Sequence, residues 1–283
     1  MTITRRHALT WALSAAALTT GCARTADRAM HQVHRVRYGA DESQVAELHL
    51  PTGDGVVPVA VVIHGGFWTS SYGMELATPL VKDLAAHGIA GYAIEYRRVG
   101  NGGGWPATFE DVATAIDALK AQRRLDLGKV VAVGHSAGGH LAVWAAGRQN
   151  LPSAAPGAAP KVILKGAVSQ AGILDLVGGV RENLGGQAVQ SLMGADPAAD
   201  RARYELASPY ERLPLKVPVA LVHGDHDRIV PLGQSQRYRD AATRAGDNVT
   251  LTELPNAGHF ELIDTDHAAW RICRDEIERL QRS

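Results

Sequence analysis

Lys129-Val130-Val131-Ala132-Val133 runs straight into Gly134-His135-Ser136-Ala137-Gly138, and a helical pattern from Ala137 to Arg148 follows, with Leu141, Val143 and Trp144 among its apolar positions. The apolar run reads as a buried strand, the G-x-S-x-G segment as a tight turn and the remainder as a helix. A turn this sharp strains the serine backbone. It also requires glycine on either side, because the adjoining strand and helix leave no space for a Cβ, and Gly139 continues the close packing. With 30 glycines in 283 residues, a chance match is the competing reading. The strand before the motif and the helix after it argue against chance.

Working outward, other solid apolar runs appear at Val59–Ile63, Gly91–Ile94, Val162–Val168 and Val217–Val222. Continuous runs of this kind mark strands buried on both faces. Helical patterns lie between them at Leu76–His87, Phe109–Arg123, Gln234–Ala245 and His267–Leu280. Alternation of the two predicts an α/β domain over residues 31–283, with a mostly parallel central sheet and helices on both faces. Near its start, Val33–Tyr38 and Val45–Leu50 alternate with period two and predict an antiparallel hairpin. Residues 174–213 interrupt the pattern with Gly178-Gly179, Gly185-Gly186, Pro197 and Pro209. That insertion reads either as a small cap over the carboxyl ends of the strands or as a surface excursion. Pro152–Pro160 reads as an exposed loop.

A serine hydroxyl is a weak nucleophile at neutral pH and needs a base in reach, itself oriented by a third group. An acid and a histidine are therefore sought further along the chain. His223-Gly224-Asp225-His226-Asp227-Arg228-Ile229-Val230-Pro231 comes directly after the run Val217–Val222, and Asn256-Ala257-Gly258-His259-Phe260 follows the predicted strand Val249–Leu254. Both segments sit at strand ends, as Ser136 does. Asp225 and Asp227 are both candidate acids from spacing alone. His223 and His226 beside two aspartates also invite a metal reading, but no third set of ligands supports one, and no metal is expected.

The strand-end pattern H-G-D-x-D-x-x-V-P followed by G-H-F resembles the acid and histidine segments of α/β-hydrolases. That resemblance implies Ser136 as nucleophile, Asp227 as acid and His259 as base, with Asp225 a turn residue bonding local amides. His64-Gly65-Gly66-Phe67-Trp68 follows the run Val59–Ile63, as the oxyanion loop of HGGG-type lipases and esterases does. The implied amide donors are Gly66 or Phe67 together with Ala137, and His64 is expected to hold the loop. The variant H-G-G-x-W, with Tyr96-Arg97-Arg98 and Gly104-Trp105-Pro106, resembles a narrower branch of bacterial carboxylesterase-like and kynurenine-formamidase-like hydrolases over residues 45–275. Members of that branch cleave simple esters, aryl formamides and feruloylated or acetylated sugars. Phe67, Trp68 and Trp105 line an acyl or aromatic pocket on this reading, or else the tryptophans belong to the core. Arg97-Arg98 either binds a substrate carboxylate or ties down neighbouring loops.

The expectation is therefore a serine hydrolase of small carboxylic esters working through an acyl-enzyme, with no cofactor. An amidase, kynurenine formamidase or peptidase on the same fold is the alternative, and a non-catalytic binding protein is a third reading. Twenty-nine basic residues balance 29 acidic ones, so no global field attracts nucleic acid. Residues 1–22 read as an export signal of the twin-arginine type: Arg5-Arg6, a short apolar run from Ala8 to Leu18, then Gly21-Cys22. Leu18-Thr19-Thr20-Gly21-Cys22 also resembles a lipoprotein box, although Thr19 departs from the usual aliphatic residue. Cys22 is thus a candidate lipidation site and membrane tether, simple cleavage being the alternative; residues 23–30 read as a linker. Cys273 falls on the apolar face of the last helix, where a free thiol packs as a small hydrophobe.

Overall fold

A computed structural model of the chain describes residues 31–283, so the expected export signal at 1–22, the candidate lipidation site Cys22 and the linker 23–30 lie outside the described residues. The strands are β1 (His31–Arg37), β2 (Val45–Pro51), β3 (Val57–Ile63), β4 (Ala90–Ile94), β5 (Leu125–His135), β6 (Gly166–Gln170), β7 (Val219–Gly224) and β8 (Val249–Leu254). They form one sheet in the order β1-β2-β4-β3-β5-β6-β7-β8. β1 pairs β2 and β2 pairs β4 antiparallel, while every pairing from β4 through β8 is parallel.

The solid apolar runs have a direct cause. Val59, Val61 and Ile63 of β3 point into one core, shared with Phe109, Leu141 and Tyr238; Ala60 and Val62 point into the other, shared with Leu80, Trp270 and Ile277. Helices α1 (Thr78–Ala86) and α8 (Ala268–Arg282) cover that second face, and α2 (Ala107–Asp117) and α3 (Ala137–Ala146) the first. Every residue of α3 is buried. Its outer side is covered by the segment after β6, which holds the short helices α4 (Leu176–Arg181), α5 (Ala188–Met193) and α6 (Arg201–Ala207). The last of these receives hydrogen bonds from α3: His140 Nε2 donates to Ala207 O at 2.9 Å and Trp144 Nε1 to Leu206 O at 3.1 Å. The helix α7 (Gly233–Arg244) links β7 to β8.

Two local differences from the sequence reading have simple origins. The run Val162–Val168 enters the sheet only at Gly166; in the bent segment before it, buried Val162 and Leu164 alternate with exposed Lys161, Ile163 and Lys165. The pattern Phe109–Arg123 yields an α-helix that ends at Asp117, followed by a tighter turn over Ala118–Ala121.

Candidate active site

Parallel register brings the decisive segments to one edge of the sheet. Ile63 of β3 is level with Gly134 of β5, His135 with Gln170 of β6, and Gly224 of β7 with Leu254 of β8. The loops after β3, β5, β7 and β8 therefore leave the sheet side by side, at the strand carboxyl ends where open α/β sheets bind ligands.

Ser136 has φ 55° and ψ −119°, a left-handed conformation that costs an ordinary side chain on the order of 1–3 kcal/mol. Its amide donates to Gln170 O at 2.8 Å, which fixes the strained turn to β6. The flanking glycines are dictated by close approach. A Cβ on Gly134 would sit 2.1 Å from Gly138 O, and one on Gly138 would sit 2.0 Å from Ile63 O.

Across from this turn, His259 Nδ1 lies 2.6 Å from Asp227 Oδ2. The other carboxylate oxygen of Asp227 accepts from the amides of Ile229 at 2.8 Å and Val230 at 2.9 Å. Burial alone would raise the Asp227 pKa, but the histidines His223 and His259 and the Ile229 amide hold it far below the ordinary carboxylate range. Asp225 is turned elsewhere, its Oδ1 accepting from the Asn256 amide at 2.7 Å. His223 is fully buried, with Nδ1 2.8 Å from Ser235 Oγ and Nε2 2.9 Å from Val230 O, so it braces the acid-bearing loop.

His135, between Gly134 and Ser136, donates from Nε2 to His259 O at 2.9 Å and thereby ties the serine turn to the histidine loop. Burial, with the neighbouring His259, pushes its pKa down to about 3. Burial does the same to His140, down to about 4. Both remain neutral in the fold where an unfolded histidine, near pH 6.5, would take a proton. The unfolded chain thus binds more protons than the fold below that pH, and stability is lost as the pH falls through the window from about 6.5 towards 4. Chemical denaturation at pH 7, 6, 5 and 4 is expected to show a steady decline that His140→Gln makes shallower.

The loop after β3 turns through Gly66 (φ 109°), Phe67 (φ 51°) and Trp68 (φ 57°). Among the described residues, the backbone amides of Gly66, Phe67 and Ala137 donate no hydrogen bond within the protein. Ala137 is the first residue of α3, where amides have no partner inside the helix. Glu95, just past the end of β4, secures this loop: it accepts from His64 Nε2 at 2.9 Å, from the Met74 and Tyr96 amides, and from Arg98 at 3.0 Å. Burial opposes its charge, yet His64 and the Tyr96 and Met74 amides keep its carboxyl below the usual range. Sequence reasoning passed over Glu95, and its signal was a charged residue ending an otherwise apolar strand. Arg97 forms a fork with Asp111 of α2, at 2.8 and 2.7 Å, and Arg98 donates to Tyr72 O and Glu95, so the arginine pair ties the segment after β4 to α2 and to the loop after β3.

The two tryptophans expected in a pocket are placed otherwise. Trp68 is fully buried, its Nε1 donating to Ala137 O at 3.2 Å and its ring set edge-on to His140. Trp105 is partly buried and packs edge-on against Phe109 at the border of the core, outside the cavity lining. The positive φ at Phe67 and Trp68 reverses the chain, turning the second ring inward. A cavity of about 90 Å³ is instead lined by Gly66, Phe67, Tyr72, Leu76, His135, Ser136, Ile229, His259 and Phe260. The insertion approaches it from behind Phe67, where a Cβ on Gly185 would lie 2.4 Å from the ring.

This sheet order, with a strained Gly-x-Ser-x-Gly turn after β5 and an acid and a histidine after β7 and β8, defines the α/β-hydrolase fold. The BD-FAE family signature matches residues 47–241, and the chain belongs to that carboxylesterase-like family. It is 31% identical to esterase LipQ of Mycobacterium tuberculosis over 74% of its own length and 51% of that protein. The zebrafish (Danio rerio) kynurenine formamidase is 25% identical over 81% of this chain and 75% of that one. The chain spans about half the length of the first relatives it matches. Among solved structures, a truncated carbohydrate esterase from gut microbiota superposes with a TM-score of 0.76 at 21% identity, over 90% of this chain and 98% of that one, which shows the common fold.

Proposed function

We propose that this protein is a serine hydrolase of carboxylic esters with short acyl groups. The observation that supports it most is the shared cavity: Ser136, held at a strained turn, and His259, 2.6 Å from the Asp227 carboxylate, line the same small space beside three unpaired amides. In this reading Ser136 Oγ attacks the ester carbonyl while His259 Nε2 takes its proton. Asp227 accepts from Nδ1, fixing the tautomer and stabilising the imidazolium. The amide of Ala137, with that of Gly66 or Phe67, meets the oxyanion. His259 then protonates the departing alcohol, and water repeats the sequence to free the acid.

A cavity of about 90 Å³ is far smaller than the roughly 300–1,000 Å³ of pockets that enclose drug-sized ligands. Short acyl chains fit this space, and so does the formyl group of an aryl formamide. The likeness to kynurenine formamidase therefore keeps that amide substrate as the second reading. The test is fluorophosphonate labelling with peptide mapping, followed by p-nitrophenyl esters from acetate to decanoate and by N-formylkynurenine. Labelling at Ser136 is expected, with kcat/KM falling on the order of 100-fold between butyrate and decanoate, the scale on which pocket fit discriminates apolar groups. Faster turnover of N-formylkynurenine than of any ester would transfer the assignment to the formamidase.

We also propose that residues 1–22 direct export and that Cys22 carries a lipid, supported by the Arg5-Arg6 pair and the Gly21-Cys22 end of the leader. Detergent partitioning of wild type against Cys22→Ser tests the tether. A wild-type protein found wholly in the aqueous phase would refute it.

A further inference from the structure

Resting on that esterase reading, we infer that Phe260 is a leaving-group subsite selecting esters of aromatic alcohols. Only a few large apolar side chains stand open to solvent among the described residues, and two of them, Phe260 at 61% and Tyr72 at 48% exposure, border the same cavity as Ser136. A phenylalanine kept in water beside a reactive centre forgoes the burial that would stabilise the fold.

Direction follows from proton transfer. The alcohol oxygen must receive its proton from His259, so the leaving group lies on the histidine side of Ser136. Phe260 is the next residue along the chain and packs edge-on against the His259 ring, with centroids 5.4 Å apart and planes at 81°. The ring also lies tilted toward His135, centroids 6.1 Å apart, and its solvent-exposed surface is open to a flat apolar partner. Tyr72 lies over the oxyanion loop, since a Cβ on Gly66 would sit 2.4 Å from Tyr72 Cβ, and it forms another aromatic border of the same mouth. An aryl group leaving between these borders finds ring faces, whereas a small aliphatic alcohol finds open water.

The test compares 2-naphthyl acetate with trifluoroethyl acetate, which share the acyl group and differ in the leaving group, on wild type and Phe260→Ala. The expected result is a roughly tenfold loss of kcat/KM for the naphthyl ester, with the trifluoroethyl ester changed less than twofold. Equal losses on both esters, or no loss on either, would overturn the subsite, the former placing Phe260 as a support for His259. Binding of 2-naphthol to Ser136→Ala, with and without Phe260→Ala, reads the subsite without turnover. If wild type hydrolyses no ester while naphthol binding still depends on Phe260, the esterase reading fails and the leaving-group role with it, and only an aryl-binding site at Phe260 remains. Naphthol binding indifferent to Phe260 sinks the subsite alone. The ring is mostly solvated, so an unchanged thermal midpoint is expected for Phe260→Ala.

Discussion

Ser136→Ala is expected to lower kcat for p-nitrophenyl acetate by roughly 10⁴- to 10⁶-fold while the thermal midpoint moves by less than about 2 °C. Loss of the hydroxyl removes the proposed attacking atom and leaves the turn intact, because the constraint on residue 136 lies in its backbone, at φ 55°, and alanine pays the same strain. Ser136→Gly separates the two roles. Glycine occupies that conformation without penalty, so this variant is expected to be equally inactive yet more stable than the alanine variant, by up to a few kcal/mol. Stopped assays and calorimetry on the three proteins decide the matter. Residual turnover above about a hundredth of wild type in either variant would remove Ser136 from the reaction.

Asp227→Asn should cost about 10⁴-fold in kcat, with little change in KM. An amide at this position presents its own N–H to His259 or leaves the ring in the wrong tautomer. The oxygen facing the Ile229 and Val230 amides can remain where it is, so the loop keeps its shape. Asp225→Asn is the matching control. Its surviving oxygen still accepts from Asn256, and activity within about threefold of wild type is expected. If Asp225→Asn were the crippling change instead, the acid would have been assigned to the wrong carboxylate.

The architecture could be read from the sequence because its signals are local and repeated. Runs such as Val59–Ile63 are apolar at every position since alternate residues enter opposite cores, and the helices between them, the wholly buried α3 excepted, carry amphipathic patterns. The serine turn was legible for a related reason: its glycines answer to backbone contacts within four residues or with the adjacent strand. Other features depend on direction, which a residue type does not encode. Trp68 follows Phe67 at once, yet one ring borders the cavity and the other is sealed beneath α3, a result of two successive left-handed residues. Glu95 reads as the polar end of a strand until His64, Met74 and Arg98 are seen to converge on it. The insertion at 174–213 offered glycines and prolines, from which neither its three short helices nor its contact with Phe67 follows.

The bond from His135 to the carbonyl of His259 spans 124 positions of chain, and Asp227 reaches its histidine only after β7 and β8 have paired. None of these partners meets another through a local turn. During refolding, helical content can recover while the protein is still inert, because closing such long loops is slow. On the esterase reading turnover is expected to return last, and a chain truncated between residues 136 and 259 would carry Ser136 without the base proposed to activate it.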